Sequence, residues 1–122
     1  MQAGATYAAL VGAVISELRS EKGISQGRLA DGVGIGQSAW SRIEKGGAVM
    51  SVDQLARAAN TIGVTPSEIV QRADNTVRQM RAQGFEVSYE KPQRGAEPTD
   101  NTGLLLLGGA ALAALIYAAN KK

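Results

Sequence analysis

Glycines at 23, 34, 36, 46, 47, 63 and 84 cut the first 84 residues into short blocks, most of them with apolar side chains at helical spacing. A chain punctuated this way cannot build long helices, and must pack several short ones around a shared core. Leu10, Val14 and Leu18 repeat every four residues, widened by Val11 and Ile15, which predicts a first helix over 6–22 stopped by Gly23. Ser25 is a good N-cap for a second helix bearing Leu29, Ala30 and Val33. Gly27 and Gly32 inside it each cost roughly 1 kcal/mol against alanine, so that helix leans on packing. A third helix is expected over 37–45. Ser51 and Gln54 have capping-box spacing and open a fourth helix with Leu55, Ala58, Ala59 and Ile62. Thr65, Pro66 and Glu68 fit N-cap, N1 and N3 of a fifth, whose apolar side is Ile69, Val70, Ala73, Val77 and Met80, with Gly84 at its end.

Beyond Gly84 the pattern changes. Phe85, Val87 and Tyr89 alternate with Glu86, Ser88 and Glu90, a strand-like period with no evident partner in the sequence. The segment reads as irregular linker or as a strand that pairs with another copy. Residues 91–102, with Pro92 and Pro98, read as extended polar linker. Residues 103–119 are uncharged and, as one helix, would span about 25 Å, slightly short of the ~30 Å hydrocarbon core. A membrane span is the expectation, a buried helix of a soluble oligomer the alternative. Small residues recur at Gly109/Ala113 and at Ala110/Ala114/Ala118, spacings that let two helices approach closely in a bilayer. Lys91 and Arg94 before the run and Lys121 and Lys122 after it leave the orientation unset by charge. The apolar start of the chain has no basic region before it and runs into Glu17, Arg19 and Glu21, so it reads as mature protein.

Composition excludes several chemistries. The chain has no cysteine and no histidine, which rules out disulfides, thiol nucleophiles, histidine-bearing zinc sites and a Ser-His-Asp triad. No nucleophile–base pair, carboxylate dyad or phosphate loop stands out, so no catalytic residue, metal or cofactor is expected. Residues 1–71 are neutral: Arg19, Lys22, Arg28, Arg42, Lys45 and Arg57 balance Glu17, Glu21, Asp31, Glu44, Asp53 and Glu68. The cationic excess lies later, at Arg72, Arg78, Arg81, Lys91 and Arg94. Neutrality counts against strong phosphate binding by the first domain alone.

The run Ser25-Gln26, Leu29-Ala30, Gly34-Ile35, Gln37-Ser38 and Ile43-Glu44-Lys45-Gly46, continued by Ile62-Gly63-Val64 and preceded by Arg19, resembles the Cro-like (XRE) helix-turn-helix family and within it the lambdoid phage repressors. The resemblance covers about residues 7–70. It implies a five-helix Cro-like domain; with the segments read above, the expected fold is all-α, with that domain over 1–84, a linker over 85–102 and one C-terminal hydrophobic helix, the membrane span, over 103–120. It implies that Gln37 and Ser38 enter the major groove, that Ser41 and Arg42 reach further bases or phosphate, that Gln26 clamps phosphate and buttresses Gln37, and that Lys45 contacts backbone. It also implies an ion pair between Arg19 and Glu44. Three positions depart from the pattern: Trp40 where Ile or Val is usual, Gly36 in place of an N-cap serine, and Gly27 in place of a common glutamate.

Two functions follow as expectations. The first is a membrane-tethered regulator that binds double-stranded DNA as a homo-oligomer, encoded by a bacterium or phage. It would sit as a single-pass protein in the bacterial inner membrane with its helix-turn-helix domain in the cytoplasm. The second is a membrane-anchored scaffold whose domain binds a protein partner, an architecture similar to that of the RodZ family of cell-shape proteins. The neutral domain favours the second; Gln37-Ser38 favours the first.

Overall fold

Six helices and three short strands make up the computed structural model, which describes residues 2–91 and 104–121. Five helices form the first body: α1 (Tyr7–Glu21), α2 (Gln26–Val33), α3 (Gln37–Glu44), α4 (Val52–Ile62) and α5 (Pro66–Ala82). Four of these five helices start with a side-chain bond to a backbone amide, which satisfies a donor that a helix start leaves without a partner. Thr6 accepts from Ala9 N, Ser25 from Arg28 N and Thr65 from Glu68 N, each at 3.1 Å. Ser51 and Gln54 close a reciprocal capping box at 3.0 and 2.9 Å.

The four-residue stripe of α1 is the centre of the core. Leu10, Val14, Ile15 and Leu18 are buried, and Leu29, Trp40, Ala58, Ile69, Ala73 and Met80 from the other four helices close over them. Two glycines set the geometry. At Gly12 a Cβ would collide with the Ile43 carbonyl and stand 3.1 Å from Glu44 Cα, so α1 crosses α3 backbone to backbone. Gly34 ends α2 at φ +90°, a left-handed conformation that turns the chain into α3.

The strand-like stretch finds its partner within the chain. Strand β1 (Gln2–Thr6) runs straight into α1 and pairs in parallel with β2 (Glu86–Ser88), with Gly4 opposite Glu86 and Thr6 opposite Ser88. On its other side β1 pairs in parallel with β3 (Leu104–Leu106), giving the order β2-β1-β3. The expected all-α fold is therefore mostly helical with a small parallel sheet, and β2 pairs with its own N terminus rather than with another copy.

The C-terminal segment also differs from expectation. The helix expected over 103–120 starts only at Gly109: α6 (Gly109–Asn120) has 12 residues, about 18 Å. No described helix is long and apolar enough to cross a membrane. The physical reason is the Gly108-Gly109 pair, which breaks the run and leaves the leucines before it to complete the sheet; Leu107 N donates to Gly4 O at 2.8 Å. Helix α6 packs on α5 and α1, burying Leu112 and Ile116. Asn120 latches it: Asn75 Nδ2 donates to Asn120 Oδ1 at 2.9 Å, and Asn120 Nδ2 reaches Thr76 Oγ1 at 3.3 Å. Gly109, Ala110, Ala114 and Ala118 face outward and Ala113 is half-buried, so none of these small residues is at a helix–helix seam as deep as Leu112. Most of the expected linker, residues 92–102, lies outside the described residues.

At the start of α1, Tyr7 bridges to α5. Its hydroxyl donates to Asp74 Oδ1 at 2.8 Å, and its ring stands 5.4 Å from that of Tyr89. Burial first, and then the hydrogen bond to the Asp74 carboxylate, push the hydroxyl up to about 12.

Two predictions follow from this packing. Ile116→Ala should lower the urea stability of the full chain by about 2–4 kcal/mol, the usual cost of truncating a buried isoleucine; an unchanged midpoint would show that α6 is not docked on the domain. Because the Tyr7 pKa is raised on folding, its contribution is fully present below pH 10, the unfolded value, and fades as the pH climbs to about 12. Ultraviolet titration of the tyrosines should show a late step that Tyr7→Phe removes.

Candidate nucleic-acid interface

Helix α3 has two unlike sides. Trp40, Ile43 and Glu44 are buried against α1 and α2, whereas Gln37, Ser38, Arg42 and Lys45 are exposed and Ser41 is half-buried. At 100° per residue, the polar set at 37, 38, 41, 42 and 45 covers an arc of about 140°. That arc is the outer face of the two-helix unit formed by α2 and α3, and its hydrogen-bonding groups and two cations are open to a ligand. Neither Arg42 nor Lys45 forms an ion pair with another described residue. The N-cap Gly36 makes no side-chain bond, so the first-turn amides of α3 carry no side-chain cap.

Glu44, on the inner side, ties the helices together. Arg19 Nε donates to its Oε2 at 2.8 Å and Arg19 Nη2 to its Oε1 at 3.0 Å, a bidentate pair in which Glu44 is 4% exposed. Trp40 Nε1 donates to Oε2 at 2.6 Å, and Gln26 Nε2 to Oε1 at 3.1 Å. Arg19 Nη1 also donates to Ile24 O at 3.2 Å, which fixes the loop between α1 and α2. From the half-buried Gln26 the network reaches the surface, where Gln37 Nε2 stands 3.5 Å from Gln26 Oε1.

The structure thus brings Gln26, Gln37, Arg19 and Glu44 into one network, and places Ser38, Ser41, Arg42 and Lys45 beside it on the outer face of α3. Gly109, Ala110, Ala113, Ala114 and Ala118 lie on α6, which packs on α1 and α5. The roles of Trp40 and Gln26 as donors to Glu44 were not read from the sequence. The four-residue spacing of Trp40 and Glu44 was the available signal, since it places both on one side of a helix. Among the described residues no group of three or more carboxylates comes together that can hold a metal ion.

This geometry, two short helices joined by a glycine turn with the second presenting a polar face, is that of a helix-turn-helix unit. The chain belongs to the helix-turn-helix domain family, whose model matches residues 10–71. Comparison with curated proteins and with solved structures finds no match.

If the Glu44 network holds α1 to α3, Glu44→Ala should cost about 3–5 kcal/mol, because it leaves the largely buried Arg19 charge uncompensated. A double-mutant cycle with Arg19→Ala should show strong coupling in chemical unfolding. Additive losses would mean that the two side chains do not depend on each other.

Proposed function

We propose that this chain is a transcriptional regulator that binds double-stranded DNA, with α3 lying in the major groove. The observation that carries the reading is the polar arc of α3, held rigid from behind by Glu44. Gln37 and Ser38, in its first turn, are the base-reading pair. Ser41 and Arg42, one turn on, reach further bases or phosphate. Lys45 at the end of α3 and Gln26 at the start of α2 meet the backbone. Membership of the helix-turn-helix family supports the same reading. The reading puts the domain in the cytoplasm, where it meets DNA, and in at least two copies, since a neutral domain needs a second half-site to raise its affinity.

A tether to the inner membrane is not part of this proposal. A helix of 12 residues that lays Leu112 and Ile116 on α1 and α5 has a structural task in the domain. The scaffold reading drew on that tether as well as on charge, and now keeps the balance of charge over residues 1–71 as its support.

A salt titration of the full chain on random-sequence duplex tests the proposal. Binding should weaken as salt rises, with a slope of about 0.9 per phosphate contact. Lys45→Ala should flatten that slope by about one unit and weaken all sequences alike. Gln37→Ala should relax selectivity at one base pair and cost roughly 1–3 kcal/mol on a selected site. No binding at low salt would reject DNA in favour of a protein partner.

A further inference from the structure

The edge of a sheet presents backbone donors and acceptors without partners, and proteins usually guard it with charges, prolines or a covering element. The sheet β2-β1-β3 has two edges, and they are unlike. On the β2 side Glu86 is exposed, and the exposed Glu90 and Lys91 follow shortly after. On the β3 side there is no such guard: from Asn101 to Asn120 the sequence holds no charged residue and no proline.

The pairing of β3 shows which of its groups look outward. Leu106 is the residue opposite Gly4, and Leu107 N donates to Gly4 O. In a parallel pair Gly4 then bonds to the residues on either side of Leu106, and Leu106 itself makes none of these bonds. By the same alternation Leu104 and Leu106 turn N–H and C=O away from β1. Among the described residues no strand lies on that side.

The uncharged character continues past Leu107 and Gly108 into α6. A surface helix normally carries polar side chains on its outer face. Here Ala110, Ala111, Ala114, Tyr117 and Ala118 are the exposed positions between Gly109 and Lys121, and Tyr117 is 71% exposed. An edge without guards thus leads into a helix face without polar groups.

We propose that the β3 edge, with the outward face of α6, is an interface between two copies of this chain. An identical strand, turned antiparallel about a two-fold axis at Leu105, answers the edge group for group. Leu104 exchanges both backbone hydrogen bonds with the partner's Leu106, and Leu106 with the partner's Leu104. Leu105 then faces the partner's Leu105 as a non-hydrogen-bonded pair, with Cα atoms about 4.5 Å apart. Two uncharged surfaces meet without like-charge repulsion, whereas a charged partner finds no counter-charge here. The two-fold axis closes the assembly at two copies and leaves only the guarded β2 edges outside. The interface supplies the second copy that the DNA-binding reading calls for, and it is measured without DNA.

The full chain should elute from size exclusion with the mass of a dimer by light scattering, and dissociate on dilution. The chain has no cysteine, so Leu105→Cys introduces a single thiol per copy. Across the axis two such residues are within disulfide reach. Under mild oxidation they should form a covalent dimer at least about tenfold faster than Asn60→Cys, an exposed position on α4. Leu106→Pro removes the outward N–H and no bond to β1, a place where an edge strand tolerates proline. It should abolish the dimer while far-ultraviolet circular dichroism is retained. If that variant does not fold, the comparison of crosslinking rates decides alone. A monomer at every concentration, a dimer that survives in folded Leu106→Pro, or equal crosslinking at 105 and 60 overturns the interface and leaves the DNA-binding reading standing. A dimer with the expected behaviour that binds no duplex at low salt supports the interface and overturns the DNA-binding reading.

Discussion

The Glu44 carboxylate receives donors from three helices at once: Arg19 from α1, Gln26 from α2 and Trp40 from α3 itself. A carboxylate removed from water is costly unless its lone pairs are used, and here the four strong acceptor positions meet four donors. Such a pair adds little to stability against an apolar replacement, but it tolerates few arrangements of the helices that carry it. Gly12 brings the α1 backbone against α3 at Ile43 and Glu44, so the closest backbone contact and the buried charge occur at the same crossing. The angle at which α3 is presented follows from that crossing, and so does the direction in which its polar face looks.

Trp40 shows how the network accommodates a departure from the family pattern. An aliphatic side chain at this place would only fill space. The indole fills more and is fully buried, which obliges its N–H to find a partner. Glu44, four residues on, is that partner at 2.6 Å. The larger side chain is therefore matched to an acceptor at position 44, and the core and the charge network are not separable in this chain.

How legible these features were in the sequence depended on the range of the interactions behind them. Helices α1, α2, α4 and α5 rest on a local period and on caps three residues away, and Ser51/Gln54 and Thr65/Glu68 announce their helix starts within a single turn. The sheet depends on pairing between residues more than 80 positions apart. Gln2–Thr6 is small and unpatterned, and nothing near it signals that Glu86–Ser88 will lie alongside. The tail failed for a different reason: an apolar run bounded by glycines is equally consistent with a span, a buried helix or a strand, and only tertiary contacts separate them. In the candidate site the resemblance supplied the residue positions. It did not supply the direction of the hydrogen bonds, which depends on the Glu44 carboxylate accepting from Gln26 and from Trp40.

Net neutrality over residues 1–71 looks unfavourable for a protein that meets phosphates, but a sum is a poor guide to a surface field. Glu44 is the one acidic residue on α3, and the Arg19 guanidinium beside it cancels its charge at 2.8 Å. Arg42 and Lys45 then remain on the outward arc with no carboxylate in the same helix to offset them. Elsewhere two of the acidic residues, Glu21 and Glu68, lie against Arg72, at 3.6 and 3.4 Å. At a Debye length of about 8 Å, charges on the far side of the domain are largely screened from the α3 face. The outward arc of α3 therefore carries two cations, while the helix's own carboxylate is turned inward to Arg19, a local arrangement that the sum over residues 1–71 does not show.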